Sequence, residues 1–165
     1  MSNIAVMISG RDRFIAACRK ALSTESDILI VKYTTDPVMN GEIATAIADR
    51  RPGILLVDIA LLRESRYSQL TILRYLSPGT RCIMLCEQAT ESDILDALSH
   101  GVMGYLNATD IDRFLAKSVR AVSTGEAWVP RHITSSIAER LVGLSPRVPN
   151  SLRVHRSTTP LPFQL

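Results

Sequence analysis

Short apolar runs alternate with longer amphipathic stretches along most of the chain. Each run is continuously apolar, which is typical of strands that are buried on both faces of a parallel sheet. The predicted strands are Ile4–Ile8, Ile28–Tyr33, Ile54–Val57, Cys82–Leu85 and Gly104–Leu106.

The amphipathic stretches between these runs have the period of helices. In the first of them, Phe14, Ile15, Cys18 and Leu22 recur at helical spacing. The predicted helices are Asp12–Leu22, Glu42–Arg50, Tyr67–Leu76, Glu91–Ser99 and Asp110–Ser123. Strands that alternate with helices predict an α/β fold, a doubly wound five-stranded parallel sheet with helices on both faces.

The end of this pattern sets the predicted domain boundaries. We expect one α/β domain over residues 1–126 and a linker segment over 127–144, with an extra helix at Arg131–Val142. Residues 145–165 contain four prolines and no sustained period, so we expect them to be disordered.

Composition and charge narrow the function classes. No apolar run is long enough to span a bilayer and no export signal is evident, so we expect a cytoplasmic protein without membrane contact. All acidic residues precede residue 145, and the positive excess of +3 corresponds to Arg147, Arg153 and Arg156. The neutral body gives no electrostatic reason for this chain itself to bind nucleic acid.

The three cysteines do not indicate a metal or disulfide site. Cys18, Cys82 and Cys86 are odd in number and lack C-x-x-C spacing, so we expect buried free thiols. In a doubly wound sheet, the functional residues lie at the carboxyl ends of the strands. The places to examine are therefore residues 9–12, 58–60, 86–87 and 107–109.

Several segments carry a family likeness. RPGILLVDIALL around Asp58 resembles the third strand of response-regulator receiver domains, and TRCIMLCEQATESDILDALSHGVMGYL resembles their fourth strand, fourth helix and fifth strand. DIDRFLAKSVRAVSTGEAWVP is similar to the fifth helix and following turn of regulators with a LuxR-type helix-turn-helix. The likeness covers roughly residues 3–142 and implies a flavodoxin-like sheet of order 2-1-3-4-5. Residues 144–147 resemble the opening of the LuxR-type DNA-binding domain, and we expect the rest of that domain to be missing from this chain.

The resemblance implies a phosphorylation site from which this sequence departs. Receivers use an acidic pair for Mg²⁺, an acceptor aspartate, a Ser/Thr and a Lys; here only the acceptor position, Asp58, keeps the family residue. The acidic pair is replaced by Gly10 and Arg11, the Ser/Thr by Cys86, and the Lys by Ala108. Leu62 and Arg63 replace the usual Pro-Gly, while the aromatic switch position keeps Tyr105.

Arg11 suggests a specific substitute for the missing cation. Its guanidinium could pair with Asp58 and hold one conformation without phosphate, or it could be an exposed loop arginine. Asp12 is predicted to cap the first helix, with a displaced metal ligand as the alternative. Asp58 is either a former phosphoacceptor or a strand-end carboxylate kept for packing, and Tyr105 is expected to be a half-buried aromatic at the sheet edge.

The sequence therefore predicts a non-enzymatic pseudo-receiver of a two-component transcriptional regulator. It would signal through a protein partner or as a homodimer, with a sensor histidine kinase as a further partner and promoter DNA only through a helix-turn-helix domain. We expect no cofactor, and the lost acidic pair argues against Mg²⁺ binding. The alternatives are a conventional receiver phosphorylated on Asp58 and a small-ligand-binding doubly wound domain.

Overall fold

The computed structural model describes residues 2–36 and 41–144, and its centre is one parallel sheet. The strands are β1 (Ile4–Ser9), β2 (Ile28–Thr34), β3 (Ile54–Asp58), β4 (Arg81–Cys86) and β5 (Gly104–Asn107). They pair in the order β2-β1-β3-β4-β5, and every pairing is parallel. The predicted fold class and strand order are confirmed.

Helices cover both faces of the sheet. They are α1 (Asp12–Leu22), α2 (Gly41–Arg50), α3 (Ile59–Glu64), α4 (Ser68–Leu76), α5 (Glu91–Ser99), α6 (Ile111–Ser123) and α7 (Arg131–Leu144). α1 and α6 pack on one face, and the other helices contribute to the core on the opposite face. A short 3-10 turn, Ala108–Asp110, leads into α6.

The continuous apolar runs are explained by burial on both sides. All five residues of β3 are buried, and alternate side chains enter opposite cores: Leu55 and Val57 on one face, Ile54 and Leu56 on the other. The period of two along a strand produces this division. Because β3 lies between β1 and β4, its carboxyl end is at the centre of one edge of the sheet.

The third predicted helix, Tyr67–Leu76, is present as α4, and the structure adds a helix before it that the sequence did not predict. A separate helix, α3, follows β3 directly, and Arg66 and Tyr67 have positive φ angles of 51° and 63° before α4 begins. A left-handed backbone ends a right-handed helix, and no glycine in the sequence signals this break. The ring of Tyr67 stacks on His100, with 4.8 Å between the ring centroids.

The segment after α6 packs against the sheet and the helix layer. The backbone of Trp128 pairs with β5, since its N–H donates to Met103 O and its carbonyl accepts from Tyr105 N. The predicted linker helix is present as α7, and its Ile133 is fully buried in the core beneath α5. The three-part division of the chain stays a prediction, and the predicted disordered tail lies outside the described residues.

None of the helices in residues 2–36 and 41–144 combines the length and the hydropathy that a membrane span requires.

Candidate functional site

A cleft of about 620 Å³ lies at the carboxyl edge of the sheet. Parallel strands bring their carboxyl ends to one edge, which is why residues distant in sequence meet there. Its walls come from all the regions selected on the sequence: Arg11, Ile59, Ala60, Arg63, Cys86, Glu87, Gln88, Asn107, Ala108 and Thr109.

Asp58 lies beneath this cleft and is fully buried at the end of β3. Its Oδ1 accepts a hydrogen bond of 3.0 Å from the backbone N–H of Ala60 and so caps α3. Its Oδ2 accepts the Nε of Arg11 at 2.6 Å, and Oδ1 also accepts the Nη2 of Arg11 at 3.1 Å. The carboxylate is therefore held in a two-pronged ion pair, the geometry that a guanidinium favours.

Arg11 reaches Asp58 from the residue that precedes α1. The backbone N–H of Arg11 also donates to Asp58 Oδ2, at 3.3 Å, while the Arg11 side chain stays 43% exposed. The hydrogen bond to Asp58 raises the pKa of Arg11 above its ordinary value. The pairing that the sequence suggested is thus present, and Arg11 is not an unattached loop residue.

Gly10, which has no side chain, lets the backbone before Arg11 lie close to Asp58. A Cβ atom at Gly10 would lie 3.1 Å from the Cβ of Asp58, tighter than ordinary van der Waals contact. Position 10 therefore has little room for any side chain while Asp58 stays where it is.

Asp12 does not have the capping role predicted for it. Arg11 occupies the cap position, without a capping side-chain hydrogen bond, and Asp12 is the first helical residue of α1. A carboxylate in the first turn still interacts favourably with the helix dipole. Asp12 is exposed and is absent from the described wall of the cleft; it borders a separate depression with Arg19 and Tyr33.

The two switch positions lie on neighbouring strands. Cys86 ends β4, is buried, and contributes to the cleft wall; burial raises the pKa of its thiol. Tyr105 on β5 is half-buried against the core beneath α5, and burial raises its pKa also. Both groups are therefore neutral near pH 7, and the thiol is a weak hydrogen-bond donor.

The position expected for a lysine offers only a methyl group. Ala108 begins the 3-10 turn and packs against the core beneath α1 and α6. The neighbouring Asn107 donates from Nδ2 to Glu87 O at 3.1 Å and accepts the backbone N–H of Thr109 at 3.0 Å. The described wall of the cleft contains no lysine.

Ion pairs around the cleft were missed on the sequence. Arg13 of α1 pairs with Glu87, and Arg63 of α3 pairs with Asp93 of α5, with 2.6 Å between Nη2 and Oδ2. Asp93 also closes a capping box with Thr90 at the start of α5. The spacing Thr90-x-x-Asp93 is a sequence signature of that box and could have identified Asp93 in advance.

The donor set does not fit a magnesium ion. Mg²⁺ requires near-octahedral oxygen ligands, yet both oxygens of Asp58 already accept hydrogen bonds from Arg11 and Ala60. Glu87 is paired with Arg13, and no group of three His, Cys, Asp or Glu side chains suited to a metal occurs in the part of the chain that the structure describes.

Comparison with known sequences gives distant relatives. No protein-family model matches the chain. The oxygen regulatory protein NreC of Staphylococcus epidermidis is 26% identical over 125 residues, which are 75% of this chain and 56% of that protein. The chain therefore spans about half the length of the curated relatives it matches.

Solved structures show the same fold. A LuxR-family two-component response regulator from Aurantimonas matches with a TM-score of 0.69 and 18% identity, over 86% of this chain and 99% of that one. The isolated receiver domain of RcsB from Salmonella enterica serovar Typhimurium, in its apo form, matches with a TM-score of 0.67 and 16% identity, over 82% and 99%. The predicted resemblance to receiver domains is confirmed at the level of the fold.

Proposed function

We propose that this chain, which has the receiver fold and resembles response regulators in sequence, is a pseudo-receiver of a two-component transcriptional regulator. It signals through contacts with other proteins and performs no enzymatic step. In this proposal Arg11 takes the place of the divalent cation and keeps the cleft in one conformation without phosphate. The protein would act in the cytoplasm.

One observation carries the proposal: the buried carboxylate of Asp58 is already bound on both oxygens by Arg11. Phosphoryl transfer needs one of these oxygens as nucleophile and a metal ion to neutralise charge between acceptor and donor. A guanidinium supplies positive charge and hydrogen-bond donors, but it cannot coordinate Asp58, a phosphoryl oxygen and water at once as a metal ion does. Arg11 therefore occupies both oxygens of the carboxylate and blocks its reaction.

The surrounding positions support the same function. Ala108 provides no charge to hold a phosphoryl group, and Cys86 is a poor donor to one. In receivers, a hydrogen bond from the Ser/Thr position to the phosphoryl group couples phosphorylation to rotation of the aromatic residue. With Cys86 in that position, rotation of Tyr105 lacks this coupling. Constitutive contacts remain as the means of signalling.

The proposed partners follow from the surfaces that remain open. Residues around Trp128 pair with β5, and α7 packs beside α5, so this side of the domain is partly covered. On the other face, the ring of Trp128 lies against Phe114 of α6. We assign a homodimer or protein partner to the remaining outer surface of α1 and α6. RcsB has been solved as dimers bound to DNA; this chain would reach promoter DNA only through a helix-turn-helix domain.

A phosphorylatable receiver is the second candidate, favoured by the position of Asp58 at the strand end. A sensor histidine kinase would be its partner, and Arg11 would have to leave the carboxylate before Mg²⁺ and phosphate could enter. A single experiment separates the two candidates.

The experiment is an NMR titration of the whole chain with beryllofluoride and Mg²⁺, with Asp58→Asn as the control. A pseudo-receiver gives no saturable shifts that depend on Asp58, so the wild type and Asp58→Asn respond alike. Saturable shifts in the wild type that disappear in Asp58→Asn would establish a working phosphorylation site and refute the proposal. Arg11→Ala is the informative third sample, because shifts gained there identify Arg11 as the block.

A further inference from the structure

We propose that the cleft binds a small oxyanion, a phosphate or carboxylate group, directly through arginine side chains and without a metal ion. The inference rests on the proposed function, since it assigns a ligand to a cleft in which Gly10 and Arg11 stand where receivers have their acidic pair. It specifies the ligand class for the small-ligand alternative considered on the sequence.

Two guanidinium groups, carried by two different parts of the fold, line the same cleft. Arg11 comes from the start of α1 and Arg63 from α3. Their carboxylate partners, Asp58 and Asp93, are absent from the described wall. The cleft therefore presents hydrogen-bond donors, while the acids that hold them lie behind or beside it.

Both arginines keep donors available. Arg11 uses Nε and Nη2 on Asp58, and Arg63 uses Nη2 on Asp93, which leaves the Nη1 groups without a described contact in residues 2–36 and 41–144. Their side chains are 43% and 45% exposed. A guanidinium has five N–H groups in a planar fork that matches carboxylate and phosphate oxygens.

The rest of the described wall suits an acceptor-rich ligand. Its acidic member, Glu87, is paired with Arg13, which reduces its repulsion of an anion. Gln88 and Thr109 add neutral polar groups, and Ile59 and Ala60 add an apolar side. A volume of about 620 Å³ is larger than a free phosphate needs, so it leaves room for the rest of a metabolite bearing the anionic group.

The test is an NMR titration of the whole chain at constant ionic strength in the presence of EDTA. One arm uses inorganic phosphate and the other uses succinate. Saturable shifts at Arg11, Arg63, Gln88 and Thr109 are expected in at least one arm, and the arm that saturates identifies the anionic group. Failure of both arms would overturn the inference and leave the beryllofluoride test of the proposed function unaffected.

Matched variants distinguish a direct contact from a structural effect. Arg63→Gln should weaken binding by about tenfold or more, the loss of one charge-assisted hydrogen bond. Arg66→Gln removes an exposed arginine that is not part of the described wall, and should change Kd by less than about twofold. Asp93→Asn keeps the Arg63 guanidinium and frees it from its carboxylate, so binding should persist or tighten.

Two results would contradict the inference. Equal weakening by Arg63→Gln and Asp93→Asn would mean that the ion pair shapes the cleft and that Arg63 does not touch the anion. Phosphate binding that appears only after Mg²⁺ is added would overturn both this inference and the pseudo-receiver proposal.

Discussion

At the scale of single residues, the pair of Arg11 and Asp58 determines what this cleft can do. A buried carboxylate is costly unless it is paired and hydrogen-bonded, and Asp58 obtains both from Arg11 and from the N–H of Ala60. The positive charge beside Asp58 belongs to Arg11 and so to the chain itself. Its presence therefore does not depend on the concentration of a metal ion in solution. A site of this kind has no metal-free state that binding of a divalent cation could switch.

The first prediction concerns the strength of this pair. Arg11→Ala should lower the free energy of unfolding by about 1–3 kcal/mol, because it leaves a buried carboxylate short of a partner. The range is modest since the Arg11 side chain is partly exposed and screened. Adding Asp58→Asn should recover part of the loss, because Asn still caps α3 and needs no cation.

Urea unfolding of the two single variants and the double variant measures the coupling between these side chains. Additive losses would show that the pair contributes no interaction energy.

A second ion-pair cluster leads to a prediction about pH. Arg120 of α6 donates to Asp27 from Nε at 2.8 Å and from Nη2 at 2.7 Å, and it also pairs with Glu25. The hydrogen bond from Arg120 lowers the pKa of Asp27 below its ordinary 3.8. A carboxylate with a lowered folded pKa stabilises the fold above its unfolded pKa, and loses that effect as the pH falls through the folded pKa.

Arg120→Gln should therefore destabilise the protein at neutral pH, and its difference from the wild type should shrink below about pH 4. Urea unfolding at several pH values checks this, with the exposed Lys117→Gln on the same helix as control. A difference that is independent of pH would assign the loss to packing of the Arg120 side chain.

At the scale of elements, the docking of α7 depends on a short apolar contact. Ile133 is fully buried and Ile137 is partly buried against the core, whereas Val142 near the end of the helix is 74% exposed. The first turns of α7 thus belong to the folded domain, and its last turns extend beyond the contact.

Ile133→Ala should cost about 2–4 kcal/mol, the usual range for truncating a buried isoleucine. Val142→Ala should change stability by less than about 0.5 kcal/mol. Thermal or urea unfolding of both variants tests this, and equal effects would mean that α7 does not pack as described.

Regular elements were predictable from periodicity, and local backbone choices were not. The ends of α1 and α5 agree with the sequence prediction because apolar spacing and polar boundary residues coincide there. Helix α3 was not predicted, and no glycine marks the turn at Arg66 and Tyr67, where positive φ angles separate it from α4. Asp12 was assigned the cap because the residue type favours it, whereas the chain places Arg11 there so that its side chain reaches Asp58.

The candidate site was predictable where a strand end or a family position identified it. Asp58, Arg11, Cys86 and Ala108 do gather at the carboxyl edge, since parallel topology requires their strand ends to meet. Pairing of Arg13 with Glu87 depends on side-chain reach between elements, which no pattern of spacing encodes.

At the scale of the whole molecule, the single tryptophan connects the parts of the domain. Trp128 bridges to Gly104 of β5, and its ring lies against Phe114 of α6 with 6.2 Å between ring centroids. Helix α7, which follows it, reaches the core on the opposite face through Ile133. The segment of Trp128 and α7 therefore contacts the sheet and the layer of α1 and α6 through Trp128, and the opposite layer through Ile133.

Unfolding followed by Trp128 fluorescence and by far-UV circular dichroism should consequently give the same midpoint. Two separate transitions would mean that the segment carrying Trp128 and α7 detaches before the sheet unfolds. Ile133→Ala should shift both signals together.

The missing side chain at Gly10 limits how an acidic pair could be introduced beside Asp58. An acidic residue introduced there while Arg11 remains would crowd Asp58, whose Cβ would be 3.1 Å from the new Cβ. Exchanging Arg11 for an acid first would instead leave two carboxylates side by side with no counter-charge. Each single change is therefore unfavourable at this site, and an acidic pair beside Asp58 requires both positions to change together.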